Sequence, residues 1–476
     1  MSQQRSARPP QTPAFVDAQN HHVVTATSSE SVAAAELTRQ RMLRPRRLRD
    51  VVVRTRTLAM FDQIAIAATG GAVDMSLPGE RAWLILDPAA ARQALVERAD
   101  IITRSSRYER IRVIIGNSLL TTDGADHHRR RRAIQPTFGP RHVRDYAAAM
   151  VAAAAETDQA WRAGATVRME QEMAAVAMSA IGRSVLGLDG REHAEGVGDA
   201  VDKLQRAIAL LLVPGAERLL TSRLPLFRRL REASIRLHDV SEVASRSEAP
   251  LVAALRELSA QGEVLSEQDL RDELLTLLLA GHETTATTLT WAWWFLDHHP
   301  DVADRMRAEI ATVLGDRTPT YDDVAALPFT TAVVSETLRL RPAAWIIERQ
   351  VVAPVDLAGI TPPVGTVLLI SPWLLHRAAA SWSDPLSFAP DRWLGADGGY
   401  DDSAPGQPRG AWMPFGAGSH VCVGAAFAWT EAVLVLASLA RQWRPSGSDP
   451  AMGTRAGVTV RPAKPMMMRL DRVVSG

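Results

Sequence analysis

The segment Phe415-Gly416-Ala417-Gly418-Ser419-His420-Val421-Cys422-Val423-Gly424 decides how this chain is interpreted. It contains the single cysteine of the sequence and three glycines, which let a backbone turn tightly and approach a flat ligand closely. A helix-forming run from Ala425 to Gln442 follows, so Cys422 is predicted to lie at a helix N-terminus. Because amide groups there stabilise an anion, we expect a lowered pKa and a thiolate that serves as a metal ligand or a nucleophile.

The spacing Phe-x-x-Gly-x-x-x-Cys-x-Gly in this segment resembles the heme-binding signature of the cytochromes P-450. The resemblance implies that Cys422 is the axial ligand of a heme b iron, with Phe415, Gly418 and Gly424 in the cofactor-binding loop. Two other interpretations remain open at this point. Cys422 could be a buried structural cysteine, which is the usual fate of a lone cysteine, or a nucleophile with His420 as its basic partner.

Composition excludes several classes of protein. The 54 Lys and Arg residues almost balance the 53 Asp and Glu residues, whereas a nucleic-acid binder usually shows a strong basic excess. One cysteine permits no intramolecular disulfide and no structural zinc site built from several thiolates, and it suits a reducing cytoplasm. No long apolar run predicts a membrane span, and no signal peptide is recognisable at the start. We therefore expect a cytoplasmic monomer without nucleic-acid or membrane partners.

The chain is predicted to be mainly α with a minor β region. Its resemblance implies the cytochrome P-450 fold, a triangular prism of helices around a buried heme. Residues 1–31, rich in Gln, Ser, Pro and Thr, are expected to form a flexible N-terminal arm, and residues 32–476 a single domain. Within that domain we expect β-rich parts near 50–90 and 346–370, and helical heme-binding parts at 120–345 and 371–476.

A long helix is predicted from Ser266, where Asp269 three residues later suggests a capping box, to about His298. Its centre, Ala280-Gly281-His282-Glu283-Thr284-Thr285, resembles the acid–alcohol motif of the same family. A glycine, together with a hydroxyl that bonds the carbonyl four residues back, would open a local kink, and the resulting groove could hold dioxygen and a few waters. The resemblance implies catalytic roles for Thr284, which would hydrogen-bond the bound oxygen, and for Glu283, which would relay protons from solvent. The alternative is a polar stripe facing water or a neighbouring helix.

Two further groups of charged residues match the family. Glu336 and Arg339 form its Glu-x-x-Arg helix motif, and Arg392 resembles the third member of its structural Glu-Arg-Arg network, which locks the loop leading to the cysteine segment. An exposed pair of this kind contributes little by itself.

The run His127-His128-Arg129-Arg130-Arg131-Arg132 would ordinarily predict a solvated charged face. The resemblance instead implies that His127 and Arg131, which share one helical face, bind the heme propionates together with Arg349 and His420. His420 stands where the family more often has arginine.

The function implied is that of a monooxygenase, which inserts one oxygen atom from dioxygen into a hydrophobic small molecule such as a terpenoid or polyketide. We expect electrons from NAD(P)H to arrive through a separate ferredoxin and its reductase, because no dinucleotide-binding motif and no cluster-forming cysteines follow the heme segment. By analogy with the family, the substrate pocket would be lined by mostly apolar residues: the loop Arg104–Asn117, Leu210–Leu220, Leu277, Ala280, Ala343–Ile347 with Trp345 and Ile346, and Val458-Thr459.

Two other functions compete with this one. A heme-thiolate enzyme that couples substrates or uses peroxide would share most of the same residues. A non-enzymatic heme sensor would need neither the acid–alcohol pair nor a large apolar pocket.

Overall fold

A computed structural model describes residues 57–76, 80–188, 200, 225–260, 265–403 and 407–473 of the chain. The predicted N-terminal arm at 1–31 and the Leu210–Leu220 part of the predicted pocket lie outside the described residues.

Helices provide most of the regular structure in the described part of the chain. In chain order they are α1 (Thr57–Ala67), α2 (Pro88–Arg92), α3 (Arg107–Ile115), α4 (Gly124–Ile134), α5 (Pro140–Ala160), α6 (Met169–Ile181), α7 (Pro225–Ser245), α8 (Pro250–Ala260), α9 (Glu267–His298), α10 (Pro300–Leu314), α11 (Pro328–Leu340), α12 (Pro372–Leu375) and α13 (Ala425–Ala440). None of these helices combines the length and the apolar character that crossing a membrane requires.

The long predicted helix is confirmed as α9, and so is its capping box. The Ser266 hydroxyl accepts the amide N–H of Asp269, and the Asp269 carboxylate accepts the amide N–H of Ser266. Leucine side chains on several sides of α9, among them Leu274 and Leu278, are buried, because α9 packs against α6, α7, α11 and α13. A helix that is apolar on most of its sides lies in a core rather than on a surface. The acid–alcohol segment therefore lies on a core helix.

The strands are short and form three sheets within the described residues. They are β1 (Ala72–Asp74), β2 (Ala82–Ile85), β3 (Ile102–Thr103), β4 (Thr166–Arg168), β5 (Ile347–Val351), β6 (Val367–Ile370), β7 (Trp443–Ser446), β8 (Thr454–Ala456), β9 (Val460–Pro462) and β10 (Met467–Arg472). The largest sheet has the order β1-β2-β6-β5-β3, in which β2 and β6 pair in parallel and the other neighbours are antiparallel. Every residue of β2 and β6 is buried, as expected for central strands covered on both faces.

The cysteine segment lies between two apolar clusters. Phe415 and Val423 pack against the large core formed mainly by α5, α6, α9, α11 and α13. Ala417 packs against a smaller core that contains the five-stranded sheet and Leu95. The loop is thus positioned from both sides by rigid elements, which is the arrangement that holds a functional group in a fixed geometry.

Candidate active site

Cys422 lies directly before α13, as predicted, with Gly424 at the N-cap position. The loop is closed by a hydrogen bond from the amide of Cys422 to the carbonyl of Phe415, at 2.9 Å. The carbonyl of Val421 accepts a hydrogen bond of 2.5 Å from Nη1 of Arg131 on α4. The backbone on both sides of the cysteine is therefore fixed.

Gly418 is required by the geometry of this loop. Its φ is +72°, and a Cβ at this position would lie 1.9 Å from the carbonyl oxygen of Leu95. At Gly424, by contrast, a Cβ would meet the Phe138 ring at 3.8 Å, which is an ordinary contact. The protein alone therefore explains the glycine at 418 but not the one at 424.

The predicted lowering of the Cys422 pKa is wrong in direction. The side chain is exposed on one side, but the protein packed on its other sides raises the pKa of the thiol by burial. The amide of Gly424 and the positive charge of Arg131 lower that pKa and offset only part of the burial. The helix terminus by itself does not make a thiolate here. Binding of a metal would, because a metal ligand must be deprotonated.

His127 of α4 and His420 of the cysteine segment are in contact. The ring centroids of His127 and His420 are 3.9 Å apart, and burial lowers their pKa values to about 3 and about 4, so both imidazoles are neutral at pH 7. Nδ1 of His420 lies 3.0 Å from Nη2 of Arg104, which can only donate. Nε2 of His420 must therefore carry the proton and donate to Asp123, at 3.1 Å.

Positive charge exceeds negative charge around these histidines. Arg104, Arg131 and Arg349 lower the pKa values of the two imidazoles, which shows that all three guanidinium groups lie close to the pair. Asp123 supplies one carboxylate: burial raises its pKa, but hydrogen bonds from His420 and from two backbone amides hold it well below its usual range. Nδ1 of His127 is buried and finds no hydrogen-bond partner among the described residues. This set of donors suits a bound ligand that carries carboxylates.

In the centre of α9, the hydroxyl of Thr284 donates to the carbonyl of Ala280 at 2.7 Å, four residues back, as the motif predicts. Gly281 has a separate role in packing, because a Cβ there would lie 2.5 Å from Cδ1 of Ile181 on α6. The helix is α-helical over its whole length.

Glu283 is buried rather than open to solvent. Its Oε1 accepts hydrogen bonds from Nε of Arg461, at 2.6 Å, and from the hydroxyl of Thr459. Both partners belong to the C-terminal region around β9. A relay of protons through Glu283 would therefore require that its contact with Arg461 loosens.

The three residues of the predicted Glu-Arg-Arg network meet in one buried cluster, which we call the triad cluster. Glu336 accepts hydrogen bonds from Nε of Arg339 at 2.7 Å and from Nε of Arg392 at 3.0 Å. Arg339 also donates to backbone carbonyls between β6 and the cysteine segment, those of His376, Pro385 and Ser387. These contacts fix the chain that leads towards Cys422.

The basic run His127–Arg132 on α4 does not form one charged face, because some of its side chains are buried and others are exposed. His128, Arg129 and Arg132 are exposed, whereas His127 and Arg130 are buried. Arg130 was given no individual role from the sequence, yet it forms ion pairs with Asp126, Asp269 and Glu273. No local pattern identifies it, because two of its partners belong to α9.

The predicted pocket residues differ in exposure. Leu277 is buried, Trp345 and Ile346 are half-buried, and Ala280 and Val458 are exposed. Trp345 is fixed by a hydrogen bond of 2.9 Å from its Nε1 to the carbonyl of Gly457, the neighbour of Val458.

Sequence reasoning placed Arg104 only in the pocket loop, without its contact to His420, and it missed Asp123, Arg461 and Glu431. Glu431 lies in α13, where burial raises its pKa well above the usual range and a contact with Thr285 of α9 offsets only part of that effect. In the sequence, Glu431 is a single acid in an apolar helix. That pattern does not show whether the acid is exposed or buried until the packing of the helix is known.

Comparison with known proteins identifies the family. The family model named Cytochrome P450 matches residues 67–469. The chain therefore belongs to the cytochrome P450 family, and it is a cytochrome P450 monooxygenase.

Similar proteins support this assignment. Cyclooctat-9-en-7-ol 5-monooxygenase of Streptomyces melanosporofaciens is 34% identical over 80% of this chain and 83% of its own length. Pentalenene oxygenase of Streptomyces avermitilis is 32% identical over 80% of this chain and 85% of its own. A crystal structure of a six-coordinated cytochrome P450 from Thermus thermophilus matches with a TM-score of 0.70 and 27% identity, covering 88% of this chain and 99% of that one. The predicted fold, mainly α with a minor sheet, is confirmed.

The heme that this family binds fits the residues present. The orphaned Nδ1 of His127 and the surplus of guanidinium groups provide donors for two propionates, and Cys422 provides a sulfur at the start of α13.

Proposed function

We propose that this chain inserts one oxygen atom from dioxygen into a hydrophobic terpenoid. In the balanced reaction R–H, O2, NAD(P)H and a proton give R–OH, water and NAD(P)+. A separate ferredoxin and its reductase would deliver the two electrons one at a time. The proposal rests on the surroundings of the loop that contains Cys422. In this loop His420 contacts His127 and Arg104, and the carbonyl of Val421 accepts a hydrogen bond from Arg131.

Individual residues have distinct roles in this proposal. Cys422 would bind the iron of heme b, and Phe415, Gly418 and Gly424 would form the loop around that bond. The propionates would accept hydrogen bonds from His127, Arg131 and Arg349. His420 would join them only after its Nε2 proton leaves Asp123. When bound, the heme supplies the activation of dioxygen, which a thiolate ligand favours.

Thr284 and Glu283 would handle protons. The Thr284 hydroxyl donates to Ala280 and keeps its oxygen lone pairs, so it can accept a hydrogen bond from a water in the groove. Glu283, bound to Arg461 and Thr459, would deliver a proton to that groove when these contacts loosen. Arg461 would then control when the carboxylate is available.

The terpenoid class is supported by the relatives rather than by the pocket alone. Their names describe oxidation of cyclooctat-9-en-7-ol and of pentalenene, and both share about a third of their residues with this chain. Leu277, Ala280, Trp345, Ile346 and Val458 would present a mostly apolar surface to such a molecule.

The experiment reconstitutes the heme-loaded enzyme with a ferredoxin, its reductase and NADPH, and supplies cyclic terpene hydrocarbons and alcohols under 18O2. We expect one product that gains a single 18O atom, with NADPH consumed in equal amount. In Thr284→Ala, product formed per NADPH should fall about tenfold or more while NADPH oxidation continues, because proton delivery is disturbed.

Thr290→Ala is the matched control, since its hydroxyl makes the same kind of bond to Ala286 outside the motif. Absence of 18O from every product, or equal coupling in Thr284→Ala and wild type, would contradict the proposal.

A further inference from the structure

The loop of residues 116–122, between α3 and α4, is bound by acidic side chains from the first two turns of α9. Nδ2 of Asn117 donates to Asp269 at 3.0 Å, and the amide of Asn117 donates to Asp272 at 2.7 Å. The amide of Leu119 donates to Oε2 of Glu273 at 3.0 Å. Three donors from two residues of the loop thus meet three carboxylates of α9.

Gly116 lies against the side chain of Asp272. Its φ is +73°, and a Cβ there would lie 2.0 Å from the Asp272 carboxylate. Any other residue at this position would be strained at this φ and would displace the Asp272 carboxylate, so Gly116 is needed for this contact.

Arg130 of α4 contacts two of these acids and the loop itself. Its Nη1 donates to the carbonyl of Asn117 at 2.9 Å and to Glu273 at 3.0 Å, and its Nη2 donates to Asp269 at 2.7 Å. We call Arg130, Asp269, Asp272 and Glu273 the acid clamp.

The acid clamp lies in the interior. The side chains of Glu273 and Arg130 are 0% and 2% exposed, and burial raises the pKa of Glu273 to about 7. Removing charges from water costs more than a simple surface pair returns, so such a cluster is weak as a source of stability. Its recognised benefit is to specify one arrangement of the parts that it joins.

The clamp shares a helical face with Thr284 and with two of the predicted pocket residues. Glu273, Leu277, Ala280 and Thr284 follow the spacing i, i+4, i+7 and i+11, which places them along one side of α9. Glu273 precedes Ala280 by two turns, or roughly 10 Å along the axis. The bound loop therefore lies at one end of the face that carries Thr284.

The opposite side of the loop is held from the cysteine segment. Arg104 donates to the carbonyls of Leu119 and Thr122, at 3.2 and 2.9 Å, and it also contacts His420. The loop is thus fixed between α9 and the loop of Cys422, with its amides bound on one side and its carbonyls on the other.

We propose that Glu273 is a positioning residue for substrate selection: through the acid clamp it holds loop 116–122 at the end of the Leu277–Thr284 face and limits the size of molecule that the pocket admits. The inference rests on the proposed monooxygenase function and adds a determinant of its specificity. Loss of the clamp should leave the heme site intact, loosen the loop and favour larger ligands.

The test compares the heme-loaded wild type with Glu273→Gln, which keeps the shape of the side chain and removes its charge. Imidazole and the bulkier phenylimidazole are titrated as iron-binding probes and followed by the Soret band. We expect the affinity for phenylimidazole relative to imidazole to rise about fivefold in the variant, and amide hydrogen exchange in peptide 116–122 to accelerate about tenfold.

Glu267→Gln is the matched control, because Glu267 is an exposed acid in the first turn of the same helix. It should leave both measurements unchanged. If Glu273→Gln fails to fold, Asn117→Ala, which removes only the bond to Asp269, should shift both measurements in the same direction by smaller amounts.

Unchanged exchange and an unchanged affinity ratio in a folded, heme-loaded variant would overturn the inference. Failure of the proposed function has a different signature, because the wild type itself would then lack the spectrum of a thiolate-bound heme or would form no oxygenated product.

Discussion

The triad cluster and the acid clamp are two buried groups of acids and arginines that differ in how much the sequence reveals of them. In the triad cluster, Glu336 and Arg339 are both 0% exposed and lie three residues apart on α11. In the acid clamp, Arg130 and Glu273 are almost as deeply buried but lie 143 positions apart. The first could be predicted from a motif. The second cannot be predicted from local spacing, because the fold brings Arg130 of α4 to the acids of α9.

The two clusters also differ in what they hold. The triad cluster binds backbone carbonyls of the chain that leads to Cys422, through Arg339. The acid clamp accepts hydrogen bonds from backbone amides of loop 116–122. The comparison therefore predicts that damage to the triad cluster affects heme binding, whereas damage to the acid clamp affects ligand selection.

The largest effect is expected for Glu336→Ala. This change leaves two guanidinium groups buried without their carboxylate, and an arginine cannot relieve the cost by losing a proton. We expect a loss of about 5 kcal/mol in the free energy of unfolding, the upper range for breaking a buried pair, together with loss of bound heme. Urea unfolding and the heme content per chain measure both.

Asp391→Ala is the control for that experiment. Asp391 pairs with Arg305 on the surface next to Arg392, with side chains 68% and 50% exposed, and should cost less than about 1 kcal/mol. A similar loss in both variants would remove the distinction between buried and exposed pairs at this site.

A smaller effect is expected for Arg130→Ala. Three acids lose their arginine, but Glu273, whose pKa burial raises to about 7, can take up a proton and relieve part of the cost. We expect about 3–4 kcal/mol of destabilisation with heme still bound, measured by the same urea unfolding. Arg129→Ala, which removes an exposed neighbour on the same helix, should have little effect. Complete loss of heme in Arg130→Ala would contradict the assignment of heme binding to the triad cluster and of ligand selection to the acid clamp.

The smallest of the three effects is a pH dependence. Because the pKa of Glu273 is raised in the folded chain, the group contributes stability below its ordinary pKa of 4.5, and this contribution is lost as pH rises to about 7. Between pH 5 and pH 8 the wild type should therefore lose about 2–3 kcal/mol relative to Glu273→Gln. Urea unfolding of both proteins at the two pH values tests it. A relative gain for the wild type would mean that Arg130 dominates over burial and lowers that pKa.

Local rules explain what the sequence could establish. The capping box at Ser266, the bond from Thr284 to Ala280 and the start of α13 after Cys422 involve residues within a few positions of each other. The same is true of Glu336 and Arg339. Spacing alone defines these contacts, since the geometry of a helix is constant.

Other features depend on segments that meet only in the folded chain. Glu283 and Arg461 are 178 positions apart, so its burial in an ion pair could not be inferred from the acid–alcohol motif. The predicted lowering of the Cys422 pKa was wrong for a related reason. The helix terminus, which lowers the pKa, is visible in the local sequence, but the burial that raises it more comes from the surrounding fold. Arg104, which joins the 116–122 loop to His420, lies 316 positions from that histidine in the sequence.

The central claim is that the sulfur of Cys422 is the ligand of a heme iron, and the reduced protein with bound carbon monoxide tests it most directly. The wild type should show the red-shifted Soret band from which the family takes its name. Cys422→Ser should lose that band, whereas Thr284→Ala, which alters α9 and leaves the cysteine loop unchanged, should retain it. A wild type that binds no heme, or an unchanged band in Cys422→Ser, would contradict the account.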